Sequence, residues 1–240
     1  MTPPGGIPVI EPIAIPPPHP HARITGVVYL LYFLTAIAGG LYLKGLVVPG
    51  DAAASANNIL AHEHLYRAGV TVGVVSLLFY VALTALFYGL FKPVNRSISL
   101  LAAFIGLLGC ACQAFESVFE FAPLAVLGTA PYLRAFTPEQ LHALAMIFLK
   151  LDGQAARTAL IFFTVYDLLI GWLILRSTFL PRILGVLMVL AGMGWLTFPY
   201  LPASVSAYLQ VLGFVAELAL MLWRLIKGVN VQRWLEQAGA

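Results

Sequence analysis

Charged side chains are scarce in this sequence. Asp, Glu, Lys and Arg make up 10% of its 240 residues, against about 25% in an ordinary soluble domain. Hydrophobic residues make up 61%, and the mean hydropathy is +0.93. A chain of this composition cannot cover its folded surface with polar groups. The composition therefore excludes a water-soluble domain and indicates that lipid is the solvent.

The sequence also lacks the short motifs of several enzyme classes. It contains no Walker A sequence, GxSxG elbow, haem-binding CxxCH, HExxH or dinucleotide fingerprint. Its two cysteines, Cys110 and Cys112, are two residues apart on one predicted helix, so their side chains diverge and cannot pair with each other. Sequence motifs therefore identify neither a catalytic residue nor a cofactor, and both stay unknown.

Six apolar segments are long enough to cross a bilayer core of about 30 Å, which requires about 20 helical residues. They fall at roughly 24–48, 66–91, 97–122, 156–175, 181–200 and 204–226. Before the fourth, the sequence TPEQLHALAMIFLKLDG begins with a capping box, Thr137 and Gln140, and ends at Gly153 after an amphipathic stretch too short to span. We predict an all-α polytopic membrane protein with six transmembrane helices and one short amphipathic extracytoplasmic helix.

The cations indicate the orientation. In a six-pass topology eight of the thirteen Lys and Arg residues face one side: Arg23, Lys92, Arg96, Arg176, Arg182, Arg224, Lys227 and Arg233. By the positive-inside rule that side is cytoplasmic, so both termini are predicted to be cytoplasmic. The net charge of +3 then reflects topology and predicts no nucleic-acid partner.

The chain is expected to divide into a membrane domain and two tails. Residues 1–22 hold eight of the sixteen prolines and are predicted to form a disordered cytoplasmic tail. Residues 23–230 form the six-helix domain, and residues 231–240 form a second cytoplasmic tail. Trp223 and Trp234 are expected to lie at the level of the lipid headgroups.

Polar side chains form a stripe on three of the predicted spans. With 100° per residue, each stripe occupies one helix face. The stripes include Gln113, Glu116 and Glu120 in the third span, Arg157 and Asp167 in the fourth, and Gln210 and Glu217 in the sixth. Because charged groups are costly in lipid, the three faces are expected to enclose one polar cavity open to the extracytoplasmic side. No Lys or Arg lies deep in a span, so some of the four acids must be protonated or a cation must lie among them.

A metal site is an alternative use of two of these glutamates. His62 and His64 lie in the loop before the second span, and His142 lies on the amphipathic helix. With Glu116 and Glu120 they would form the His and carboxylate donor set that suits zinc, iron or copper. Residues two apart on a helix point to opposite sides, so His62 and His64 could share a metal only in an extended segment. Solvated loop histidines are the competing interpretation.

Several runs of the sequence resemble a known family. The multi-pass membrane family known as domain-of-unknown-function family 4386 is similar in the ordered runs HEHLYRAG, FKPVNR, QLHALAMIFLKLDGQAARTALIFF, ILRSTFLPRILGVLMVLAG and ELALMLWRLIKGVN. The resemblance covers nearly everything from residue 23 to 230. It implies a small helical protein of the bacterial inner membrane. Because the family carries no established activity, the resemblance implies no catalytic residues.

Three kinds of function stay open at this point. The first is a protein that binds or transports a cation, a proton or a small cationic solute in the acidic cavity, with Asp167 and Glu217 essential. The second is a membrane-embedded enzyme in which a metal held by the glutamates and histidines activates water or oxygen. The third is a membrane sensor or assembly factor. The predicted partners are the lipid bilayer and a cation or small solute, while protein partners are unknown.

Overall fold

The computed structural model describes residues 18–197 and 203–239, and within these ranges it contains helices and no strand. The α-helices are α1 (Pro18–Leu43), α2 (Ala52–Ala61), α3 (Glu63–Phe91), α4 (Arg96–Val126), α5 (Pro138–Arg176), α6 (Arg182–Thr197), α7 (Ala203–Ile226) and α8 (Val231–Ala238). A 3-10 helix covers Pro131–Ala135. The all-α prediction is confirmed. Most of the predicted proline-rich tail lies outside the described residues.

Five segments of the described chain are long and apolar enough to cross a membrane. They are Arg23–Leu43, Glu63–Phe91, Arg96–Val126, Pro138–Arg176 and Ala207–Ile226. The predicted span 181–200 corresponds to α6, which is apolar but has only 16 described helical residues. A polytopic membrane protein is thus confirmed, with five full-length candidate spans and one shorter apolar helix.

Side-chain caps explain where three of the helices begin. The Asp51 carboxylate accepts a hydrogen bond from Ala54 N at 2.8 Å before α2, and the Asn95 side chain accepts one from Ile98 N at 2.9 Å before α4. At α5 the predicted capping box is present, because Thr137 and Gln140 bond each other's backbone N–H. Each cap satisfies a donor that the first helical turn leaves unpaired.

The amphipathic helix and the fourth span form one continuous helix, α5, of 39 residues. The prediction that the first helix ends at Gly153 is therefore wrong. A glycine inside a helix costs only about 1 kcal/mol relative to alanine, and packing on both sides of Gly153, with Ala145 and Ala159 buried, outweighs that cost. Helix α2, which lies in the predicted loop 49–65, was also not predicted.

Six helices form a closed ring in which each helix packs against two neighbours. The order around the ring is α1, α3, α4, α5, α6 and α7, and α7 contacts α1 again. Aromatic side chains fill the interior. The Tyr80 ring meets Tyr32 at 4.9 Å and Phe163 at 4.8 Å between centroids, both in T-shaped geometry. The ring of helices therefore has a packed centre.

Glycines allow two of the neighbouring helix pairs to approach closely. A Cβ added to Gly26 of α1 would lie 2.7 Å from the backbone N and Cα of Leu225 in α7. A Cβ on Gly185 of α6 would lie 2.9 Å from the carbonyl oxygen of Gly171 in α5. Side chains at these positions would push the helices apart, as at the small-residue contacts common between membrane helices.

Helix α8 lies under the end of the ring that carries Arg96, Arg176 and Arg182, which we call the arginine end. Trp234 of α8 is 6% exposed, and its indole N–H donates to the carbonyl oxygen of Leu90 at 2.9 Å. That carbonyl belongs to the last turn of α3, where the helix offers it no partner. The expectation that Trp234 anchors at the headgroup level is wrong, because burial and this hydrogen bond hold it inside.

Trp234→Phe is expected to lower the free energy of unfolding by about 1 to 3 kcal/mol, because the buried Leu90 carbonyl loses its donor. The change is measured by thermal melting of the purified protein in detergent. Trp223→Phe is the matched control, since Trp223 is 36% exposed. An equal effect of the two substitutions would contradict the assigned role of the hydrogen bond.

Candidate functional site

A cleft of about 200 Å³ opens between α1, α3 and α4, toward the end of the bundle opposite the arginine end. Its polar lining consists of Ser76, Gln113, Glu116, Ser117 and Glu120. Glu116 lies about 30 Å along α4 from Arg96, at a rise of 1.5 Å per residue. The polar stripe predicted on the third span thus faces a single cavity.

Glycines form the walls that face these carboxylates. Gly39 and Gly40 come from α1, and Gly69 and Gly73 come from α3. A Cβ on Gly39 would lie 3.2 Å from the carbonyl oxygen of Gly69. The two helices meet closely at that point, and the missing side chains leave space in front of the acids. None of the described residues that line the cleft is Lys or Arg.

A third carboxylate, on α5, lies near the two glutamates but outside the lining of the cleft. Asp152 lies close enough to Glu116 and Glu120 for its charge to act on both. Its Oδ1 is buried and has no hydrogen-bond partner in the part of the chain that the structure describes. Like charges that converge in a partly buried site repel one another, so the cleft favours a cationic ligand.

A hydrogen bond to the backbone of α4 fixes the edge of the cleft, and the glutamate side chains remain free to bind a ligand. The Tyr66 hydroxyl donates to the backbone carbonyl oxygen of Glu120 at 2.7 Å. Tyr66 is itself buried beside Leu46, Ile59 and Val70. Among the described residues none donates a hydrogen bond to the side chain of Glu116 or Glu120.

A second pair of acids lies in the packed centre of the ring. Asp167 of α5 is 5% exposed, and its charge interacts with that of Glu217 in α7. The Tyr29 hydroxyl donates to Glu217 Oε2 at 3.4 Å, and the Trp195 side chain also forms a hydrogen bond with this carboxylate. Asp167 lies about 13 Å along α5 from Arg176. The pair is therefore nearer the arginine end than the cleft is, by about 17 Å.

The prediction of one cavity shared by all four acids is wrong. Of these acids, Glu116 and Glu120 line the cleft, whereas Asp167 and Glu217 do not. The third span, α4, and the last span, α7, are not neighbours in the ring, because α1 and α3 stand between them on one side and α5 and α6 on the other.

Two further predicted residues lie away from both groups. Arg157 is exposed, donates to Gln154 Oε1 at 2.7 Å, and lines a separate cavity of about 320 Å³ between α5 and α6. Gln210 is exposed on α7. Neither joins the carboxylates, although Gln113 does line the cleft as predicted.

The histidines do not assemble with the glutamates. His62 is exposed and its Nδ1 lies 3.0 Å from the carbonyl oxygen of Asn58, while His64 is exposed in the first turn of α3. His142 lies half-buried on α5, near Glu139. Within the described ranges, no group of three or more His, Cys, Asp or Glu side chains is placed to hold a metal ion.

Arg224 is a residue whose environment the sequence did not indicate. It lies two residues before the end of α7 and was predicted only to be among the cations of the cytoplasmic side, yet it is 0% exposed. Its guanidinium carbon lies 5.5 Å from the centroid of the Phe87 ring, and no described residue forms a hydrogen bond with Nε, Nη1 or Nη2. The sequence did not indicate this burial, because the position of a residue near a helix end does not reveal which helix face its side chain occupies.

Comparison with known proteins gives a family match and a distant relative. The family model described as Domain of unknown function (DUF4386) matches residues 24–228. A protein of the archaeon Archaeoglobus fulgidus, named "Uncharacterized protein", is 28% identical over 151 residues, which are 62% of this chain and 76% of that protein. No solved structure matches.

Proposed function

The chain belongs to the family described as Domain of unknown function (DUF4386), and we propose that it binds a small cation in the cleft between α1, α3 and α4. One observation carries the proposal. Glu116 and Glu120 line a cavity whose described lining contains no cationic side chain, and Asp152, outside that lining, is near enough for its charge to act on both. An inorganic cation or a small organic ammonium ion is the ligand class that such a site complements.

The energetic argument rests on burial. A carboxylate that loses water in a partly buried site must gain a partner, since an unpaired ionised group in an apolar environment is costly. These acids form no ion pair within the described part of the chain. Arg67, in the first turns of α3, is paired with Glu63 at 2.9 Å instead. A bound cation would offset the cost, and a cavity of about 200 Å³ has room for a hydrated ion or a small ammonium compound.

The charge distribution supports a direction of access. By the positive-inside rule the arginine end faces the cytoplasm, so the cleft opens to the extracytoplasmic side and both termini are cytoplasmic. In a bacterial host that membrane would be the inner membrane. Asp167 and Glu217 offer a second acidic position toward the arginine end, which is the observation that favours transport over binding alone. Their predicted importance for activity stays a prediction.

Replacing Glu116 and Glu120 together by glutamine should weaken cation binding by at least about tenfold, since each charge-assisted contact contributes roughly 1.5 to 3 kcal/mol. Binding is measured as the rise in melting temperature of the purified protein with potassium, magnesium, calcium, zinc, tetramethylammonium or a linear diamine.

The matched control replaces Glu63 and Glu139 by glutamine, because both are exposed and lie outside the cleft. It should leave the cation response unchanged. A response that survives in the cleft variant, or that both variants lose equally, would contradict the proposed site. Elemental analysis of the same preparation tests the metal-enzyme alternative, which stoichiometric retained zinc, iron or copper would favour.

A further inference from the structure

Two adjoining cavities lie at the arginine end, between the turn that joins α5 to α6 and the start of α8. Their volumes are about 740 and 370 Å³. The larger is lined by Arg176, Arg182 and Arg233, and the smaller by Lys227 and Arg233. Because Arg233 belongs to both, it stands between them. Glu236 is the one acidic residue in either described lining.

The cations of these cavities retain unused hydrogen-bond donors. The side chains of Arg182 and Lys227 form no hydrogen bond or ion pair with any described residue, and both residues are exposed. Arg233 Nη1 donates to the carbonyl oxygen of Thr178 over 3.4 Å, and the Arg176 guanidinium lies 5.4 Å from the centroid of the Trp172 ring. No carboxylate of the described chain lies within ion-pair distance of the four. Their charge is available to an anion.

The walls of the cavities are fixed in place by hydrogen bonds. The Gln237 side chain of α8 accepts from both N and Oγ1 of Thr178 at 3.0 Å and donates to the carbonyl oxygen of Arg176 at 3.3 Å. The buried Trp234 ties the same helix to the end of α3. The backbone that carries these cations is therefore fixed before a ligand binds, which lowers the entropy cost of binding.

We propose that this basic site binds the headgroup of an anionic phospholipid, and best one with two phosphates. Phe179, Leu180, Pro181 and Val229 give the cavities an apolar side as well as a charged side, as the boundary between headgroup and acyl chain requires. Arg forks pair bidentately with phosphate, and basic pockets at the ends of membrane helices suit such headgroups. Two cavities on either side of Arg233 match two phosphates joined by glycerol.

The test measures retention of lipid by the full-length protein in nanodiscs of phosphatidylcholine alone or mixed with phosphatidylglycerol or with cardiolipin. Native mass spectrometry counts the lipids that remain bound after release. We expect cardiolipin to be retained most strongly, phosphatidylglycerol less, and phosphatidylcholine least, with retention falling as salt rises. Inorganic phosphate and glycerol phosphate, added to phosphatidylcholine nanodiscs, should not compete at equal concentration.

The double variant Arg182→Gln and Arg233→Gln should lose cardiolipin affinity by about 25-fold, because each cation near an anionic lipid strengthens binding about fivefold. The control Lys92→Gln with Arg96→Gln removes the same charge from the same end outside both cavities and should change little. If the double variant has a lower melting temperature than the unmodified protein in phosphatidylcholine, Arg182→Gln alone replaces it in the test, because the Arg182 side chain forms no hydrogen bond or ion pair with the described residues. Equal losses in variant and control, absence of lipid preference, or competition by free phosphate would each overturn the proposal.

Discussion

Gly26→Leu is expected to lower the melting temperature by roughly 10 °C, one of the largest effects that a single substitution should have in this protein. Even a Cβ at this position would lie 2.7 Å from the Leu225 backbone, which cannot rotate away as a side chain could. Helix α1 must therefore move off α7, and that contact closes the ring. Overpacking of this kind costs about 3 kcal/mol or more.

Thermal melting in detergent with Gly89→Leu as the matched control checks this expectation. Gly89 lies in α3, is exposed, and has no atom within 4 Å of an added Cβ. The control should keep or slightly raise stability, because leucine favours a helix more than glycine does. A loss of stability in the control equal to that at Gly26 would show that the contact with α7 is not the cause.

Arg224→Met is expected to raise the melting temperature by about 5 °C, in the opposite direction to most core substitutions. The guanidinium is fully buried and finds no hydrogen-bond acceptor among the described residues. The Phe87 ring beneath it recovers only about 1 to 2 kcal/mol as a cation–π contact. Methionine has a similar length and fills the same space without a charge to desolvate.

The comparison with Arg96→Met isolates the effect of burial. Arg96 is exposed at the start of α4, so the same exchange there should alter the free energy of unfolding by no more than about 0.5 kcal/mol. If Arg224→Met instead lowers the melting temperature, the guanidinium must be paired with an anion, such as a lipid phosphate. The sign of the change therefore distinguishes an unpaired charge from a paired one.

The spans could be predicted because solvation in lipid depends on each segment's own composition. Apolar length located α3, α4 and α7 within a few residues, and the residues that cap helices, such as Asn95 and Thr137, behaved as their chemistry requires. The continuity of α5 could not be predicted, since a local signal at Gly153 competes with packing that involves other parts of the chain.

The candidate site was predictable in part for a related reason. Helical periodicity alone places Gln113, Glu116 and Glu120 on one face, and all three line the cleft. Periodicity does not give the order of helices around a ring, so it joined Asp167 and Glu217 to a cavity that they do not reach. The order of the helices depends on contacts between distant segments, which the pattern within one segment does not reveal.

Asp152 was missed because the segment before Gly153 was interpreted as a separate surface helix. In one continuous helix, Asp152 and Asp167 are about 60° apart around the axis, so both face the bundle. The signal was present in the spacing of two aspartates but could be used only with the correct helix boundary. A wrong boundary therefore removed a site residue as well as a helix end.

The unbroken α5 also has a mechanical consequence. Asp152 beside the cleft and Asp167 in the ring interior sit on one rod, about 22 Å apart along its axis. A rod without a hinge transmits rotation, so a tilt of about 5° around Asp152 displaces Asp167 by about 2 Å. A tilt of α5 at the cleft therefore also displaces the buried Asp167, so this one helix joins the two acidic groups mechanically.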